Sequence, residues 1–371
     1  MITDTSAPAT YIFDGHNDLP WAMRDLCGYD LDDFDLVGGD ARLHTDVPRL
    51  QAGGVGAQFW SVFVPCSLTN GAAVTATLEQ IDFVRRMVAR HPNEFSLVTT
   101  AAEVELAVRA GRVASLMGME GGHSIDSSLG TLRMMHELGV RYMTLTHNEN
   151  VPWADSATDS PVAGGLTDFG REVVREMNRI GMFVDLSHVS ADVMRDALAT
   201  SSAPVIFSHS CARAVCDISR NVPDDVLATL PANGGVCMVA FVPMFVSQAN
   251  ADWYAECLDL VEQRGGDRRR FADIDPVLAE RMQHDPPKPV TADDVADQVE
   301  HVREVAGLDH VGLGGDYDGS TFFPEGMDDV AGYPRLLDAL RKRGWSEDEL
   351  VQLTHGNVLR ALRGMEAAAT A

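Results

Sequence analysis

The chain has 371 residues, 45% of them hydrophobic, and a formal net charge of −26 at pH 7. That is enough apolar material for a large buried core, and the charge argues against nucleic acid or an anionic membrane as a partner. No apolar run is long enough to span a bilayer. Residues 1–10 (MITDTSAPAT) and the tail Gly364 to Ala371 lack the pattern of a secretory leader or an anchor signal, so a cytoplasmic protein is expected. The six cysteines (Cys27, Cys66, Cys211, Cys216, Cys237, Cys257) form no CxxC pair, and reduced thiols are expected of them.

In chain order, Tyr11, Ile12 and Phe13 read as a short buried strand, with Gly15 and Pro20 bracketing its end. Strand alternation puts His16 and Asp18 on one side, where an imidazole and a carboxylate can chelate a divalent metal. By itself the pair is weak evidence and reads better as a hydrogen-bonded turn; what changes the balance is that later strands also end in metal-ligand or acid–base residues. A loop rich in Asp and Gly follows over 28–40. The second strand spans 57–64 and stops at Pro65. Helical spacing over 73–90 leads to a third strand, 113–119, which runs into Glu120-Gly121-Gly122-His123.

A helix over 129–138 precedes the fourth strand, 142–146, which ends at His147-Asn148. Residues 148–166 are loop-like, and Thr167 reads as the cap of the next helix. The fifth strand, 181–186, ends at Ser187-His188, and the sixth, 204–207, ends at Ser208-His209-Ser210. Residues 235–242 make the seventh, and 311–316 the eighth, ending in Asp316. Helices are expected around 293–306, 333–343 and 346–362.

Eight apolar strands alternating with helices predict an α/β protein with a (β/α)8 barrel, a doubly wound sheet being the alternative. The expected organisation is one domain over 1–371, with a long charged insertion, 249–292, between strands seven and eight. The insertion contains a helical piece, Trp253 to Gln263, and reads either as a lid or as a surface excursion. In a barrel the active site lies at the C-terminal strand ends, and those ends carry His16, Asp18, Glu120, His147, His188, His209 and Asp316. Asp318, in a Gly-Asp-Tyr-Asp-Gly loop, reads better as a turn residue. His44, His91, His136, His284, His301, His310 and His355 fall outside this pattern.

The segments DGHNDLPW (14–21), MEGGHSID (119–126), LTHNENVPWADS (145–156), VDLSHVS (184–190), PVIFSHSCARAVCDISRNVPDD (204–225) and GGDYDG (314–319) closely resemble the membrane (renal) dipeptidase family. These are zinc dipeptidases of the metal-dependent amidohydrolase class of (β/α)8 TIM-type barrels, and the resemblance runs from residue 11 to about 362. It implies two Zn2+ per chain, one held by His16 and Asp18, the other by His188 and His209, with Glu120 bridging. It implies that His147 touches the scissile amide, that Arg220 holds the substrate carboxylate, and that Asp316 shuttles the proton. The implied reaction is attack of a metal-bridging hydroxide on a small dipeptide with a free C-terminal carboxylate, and the implied assembly is a homodimer. A related amidohydrolase acting on another amide or lactone, or an inactive peptide-binding barrel, are the alternatives. Cys66 resembles a family disulfide position, but 147–149 offers no partner cysteine, so no bridge is expected there.

Overall fold

A computed structural model describes residues 10–370; residues 1–9, on which most of the leader expectation rests, lie outside them. Nine parallel strands form the sheet: β1 (Ile12–Asn17), β2 (Val55–Phe63), β3 (Phe95–Leu97), β4 (Val113–Glu120), β5 (Val140–Thr144), β6 (Phe183–Asp185), β7 (Ile206–Phe207), β8 (Val236–Val239) and β9 (Val311–Leu313). Their order is β2-β1-β9-β8-β7-β6-β5-β4, and a β2–β4 pairing closes eight of them into a barrel. The short β3, not foreseen in the sequence, pairs with β4 at Val113–Ser115, while β5 pairs with β4 from Met117 onward.

The barrel strands are buried on both faces, which is why they read as continuous apolar runs rather than as alternating ones. Phe13, Phe59, Tyr142, Phe183, Ile206 and Met238 belong to one buried cluster. Tyr142 lies across Gly118: a Cβ there would fall 1.9 Å from the ring's Cζ. Glycine at 118 therefore lets the Tyr142 hydroxyl reach the strand-end layer.

The helices follow their local signals. Thr167 caps Asp168–Ile180 by accepting from Gly170 N, and Thr100 with Glu103 forms a capping box on Ala101–Arg109. The helix expected over 346–362 is three pieces, Glu347–Val351, a π turn Gln352–Gly356 and Asn357–Ala368. The eighth predicted strand is shorter than expected. It ends at Leu313 because Gly315 N turns to donate to Asp14 Oδ1 at 2.9 Å. Asp316 and Asp318 therefore lie past the strand, both with positive φ (63° and 64°), and alternation does not set their directions.

The 249–292 insertion holds two helices, Gln248–Gln263 and Phe271–His284. The second was hidden in the sequence by Arg268-Arg269-Arg270 and by Pro276 inside the helix. The pair buries a small core of its own (Trp253, Cys257, Val261, Ile274, Val277, Leu278).

Candidate active site

The C-terminal strand ends converge. His16 lies in β1 and Asp18 just beyond it, and Glu120 is the last residue of β4. His147, His188, His209 and Asp316 lie in the first residues past β5, β6, β7 and β9. His188, like Asp316, adopts a positive φ (65°), a strained conformation that aims its ring inward.

Glu120 sits at the centre with its two oxygens facing different neighbours. Oε2 lies 3.4 Å from His16 Nε2, which is 3.2 Å from Asp18 Oδ2. Oε1 lies 3.0 Å from His188 Nε2 and 3.5 Å from His209 Nε2. His147 Nε2 is 4.0 Å from Oε1, and Asp316 Oδ1 is 4.0 Å from His16 Nε2. His16, Asp18 and Asp316 are grouped closely enough to share one cation, and so are His16, Glu120 and His209, and Glu120, His147 and His188. Asp318 stands apart. Its Oδ1 accepts from His44 N at 2.7 Å, and its own N–H donates to His44 Nδ1 at 3.1 Å.

The electrostatics fit bound divalent ions. Burial holds His147, His188 and His209 well below the usual imidazole range, so their nitrogens are neutral donors. Burial also raises Glu120 and Asp316, and the neighbouring Asp18 carboxylate adds to the rise. For His16, burial opposes the charge, yet Tyr142, Glu120 and Asp18 outweigh it and raise the imidazole well above its usual range. His16 Nε2 and Asp18 Oδ1 are buried without a hydrogen-bond partner. Neutral imidazoles and carboxylates aimed at a common space are a donor set for zinc-like ions.

Arg220, from the loop after β7, is 5% exposed, and both of its terminal nitrogens lack a partner. Its guanidinium lies over the Phe245 ring at 4.9 Å. Burial lowers it to about 10, against the pull of Asp316 and Glu120, so it stays charged at neutral pH.

Behind the inner residues lies a layer that the motifs did not single out. Asp185 is fully buried; its Oδ2 accepts from Thr144 Oγ1 and Ser208 Oγ, both at 2.6 Å, and its Oδ1 accepts from Ser208 N at 2.8 Å. Because Ser208 spends its one proton on Asp185, its oxygen accepts from His209 Nδ1 at 2.8 Å. That leaves His209 Nε2 a bare lone pair. Tyr142 Oη meets His16 Nδ1 at 2.7 Å, Ser61 Oγ donates to Glu120 Oε2 at 3.1 Å, and Cys66 Sγ approaches His147 Nδ1 at 3.6 Å. The signal for Asp185 was there, two residues before Ser187-His188, but inside a strand it read as an outlier in an apolar run.

The family described as membrane dipeptidase (peptidase family M19) matches residues 7–371. The chain belongs to that family. It is 44% identical over 360 residues to Dipeptidase 3 of Rattus norvegicus and 43% identical to that of Mus musculus, covering 96% of this chain in each case. It spans 65% and 64% of the length of those relatives. Among solved structures, a metallopeptidase from Rhodobacter sphaeroides liganded with a phosphinate mimic of the dipeptide L-Ala-D-Ala is 27% identical, with a TM-score of 0.79 over 96% of this chain and 99% of that one. A probable dipeptidase from Pseudomonas aeruginosa shares the fold, with a TM-score of 0.85 at 23% identity over 97% and 96% of the two chains.

Proposed function

We propose that this membrane dipeptidase family member is a binuclear zinc dipeptidase that cleaves dipeptides with a free C-terminal carboxylate and accepts a D residue at the second position. The observation that carries the reading is Arg220. A buried guanidinium with both terminal nitrogens unpartnered, beside a cluster of carboxylates and neutral imidazoles, is incomplete without an anion. A substrate carboxylate fills that role in a charge-assisted, bidentate grip. The D-residue tolerance is supported by the L-Ala-D-Ala mimic bound to the similar Rhodobacter sphaeroides enzyme.

In this reading His16 and Asp18 would hold one ion and His188 and His209 the other, with Glu120 shared between the two sets. Bound zinc would supply Lewis acidity, activating water and polarising the amide carbonyl. The remaining steps belong to the chain. Arg220 fixes the carboxylate end and so limits the substrate to one residue beyond the scissile bond. His147, with Cys66 against Nδ1, presents Nε2–H to the carbonyl oxygen as negative charge develops there. Asp316, its Oδ1 4.0 Å from His16 Nε2 at the same mouth, takes the proton of the attacking water as a carboxylate and returns it to the leaving amine as the acid.

The family match over residues 7–371 supports one catalytic domain carrying the 249–292 insertion. The six free thiols support a reducing, cytoplasmic compartment, and no helix among the described residues is long and apolar enough to cross a membrane. The homodimer that the family resemblance implies is checked by light scattering. The decisive experiment is a screen of the zinc-loaded protein against L-Ala-L-Ala, L-Ala-D-Ala, a tripeptide, a β-lactam and a lactone. Cleavage of the two dipeptides with negligible turnover of the others is expected. A preference for the lactone or the β-lactam would replace this reading with the wider amidohydrolase one.

A further inference from the structure

The insertion reaches the barrel mouth. Arg269 forms three hydrogen bonds with Asp267 and donates to Asp159 Oδ1 at 3.2 Å, tying the helical hairpin to the 148–166 loop. The next helix begins at Phe271, a residue 46% exposed, whose ring lies 6.3 Å from that of His147. His147 packs edge-on against Phe63, at 4.8 Å, and Phe63 against Trp21, at 5.2 Å. His147 thus has an aromatic wall on one side, and the exposed phenyl ring at the first position of the second insertion helix is not part of the insertion's own small core.

Barrel order says which end of a substrate meets this wall. In the order β2-β1-β9-β8-β7-β6-β5-β4, closed by β2–β4, β7 lies four strands from β2 in either direction. Arg220 follows β7, and Phe63 ends β2, so the two stand on opposite sides of the mouth. A dipeptide with its carboxylate at Arg220 and its amide over Glu120 extends its amino-terminal residue toward Trp21, Phe63 and Phe271.

We propose, resting on the dipeptidase reading, that Phe271 is a specificity-determining residue: with Trp21 and Phe63 it selects dipeptides whose amino-terminal residue carries a bulky apolar side chain. Phe271 closes the outer edge of that wall, and the Arg269–Asp159 tie sets its position. Being exposed at a helix start, Phe271 is replaceable without disturbing the barrel.

The test measures kcat/KM for L-Phe-L-Ala, L-Leu-L-Ala and Gly-L-Ala, and for L-Ala-Gly and L-Ala-L-Phe, with the native enzyme and with Phe271→Ala and Phe271→Leu. Phe271→Ala should lower kcat/KM roughly 10-fold for the first two substrates, the usual worth of lost apolar contact in a selective pocket. Gly-L-Ala should stay within about twofold, the L-Ala-Gly to L-Ala-L-Phe ratio should not move, and Phe271→Leu should recover most of the loss. An equal loss on Gly-L-Ala, a loss that follows the second residue, or no loss at all overturns the assignment while the dipeptidase reading stands. A native enzyme that cleaves none of the five dipeptides overturns both.

Discussion

The Nε2 atoms of His188 and His209 lie 2.9 Å apart, and Glu120 Oε1 is within 3.5 Å of both. Two buried neutral imidazoles that point their acceptor nitrogens at each other and at a carboxylate are poorly satisfied until a cation joins them. Purified protein should therefore hold about two zinc equivalents per chain and lose activity to a strong chelator. Chelation should also lower the melting temperature, because ligand binding to the folded state alone stabilises it. Glu120→Gln should reduce both zinc content and turnover, since a neutral amide bridges two ions poorly. Full activity of metal-free protein would sink the scheme.

Asp316 and Asp318 are separated by their partners rather than by their spacing. Asp316 lies with His16 and Asp18, whereas Asp318 is clasped by the backbone and ring of His44. Gly319 packs so close that a Cβ would lie 2.3 Å from Asp18 Oδ2 and 2.6 Å from Asp316 Oδ1, which holds this turn against the site. Asp316→Asn should leave zinc bound and lower kcat by ~10²–10⁴. Asp318→Asn should change kcat little and show itself, if at all, in thermal stability. The reverse pattern in the two variants would reassign the proton shuttle.

Arg220 is examined through a double-mutant cycle. Arg220→Met and amidation of the dipeptide's C-terminus should each reduce kcat/KM, by roughly 10- to 150-fold for the loss of charge-assisted hydrogen bonds of ~1.5–3 kcal/mol. Both changes together should cost little more than either alone, because the second removes a partner already missing. Zinc content should not change. Additive losses would mean that the guanidinium and the carboxylate do not meet.

The relay from Asp185 through Ser208 to His209 sets which ring nitrogen of His209 turns a lone pair toward Glu120. Asp185→Asn offers the serine a donor as well as an acceptor and loosens that order. Ser208→Ala removes the link. Each should weaken zinc affinity about 10- to 100-fold, as is usual for residues that orient metal ligands. Competition with a chromophoric chelator reads this directly. Unchanged affinity in both variants would reduce the relay to packing.

Much of the architecture was legible in the chain because buried parallel strands need apolar side chains on both faces. The apolar runs stand out for that reason, and the polar residues that interrupt or end them (His16, Glu120, His188, His209) mark the mouth. Thr167, as a helix cap, was equally readable, since capping is a local contact. β3 was missed because its three residues pair only with the start of β4, too short a signal for any periodicity.

What the linear order did not contain is direction past a strand end. Alternation tells which way a side chain points only while the backbone stays extended. The choice between Asp316 and Asp318 was made by two positive-φ turns and by His44, 274 residues earlier in the chain. Asp185 acquires its part only when β6 and β7 set it beside Ser208. Phe271 reaches His147 only because the insertion folds back over the mouth and Arg269 finds Asp159. Residue types and strand ends are properties of the sequence; the sharing of Glu120 between two sets of donors exists only once the barrel closes, because closure alone brings six strand ends around one point.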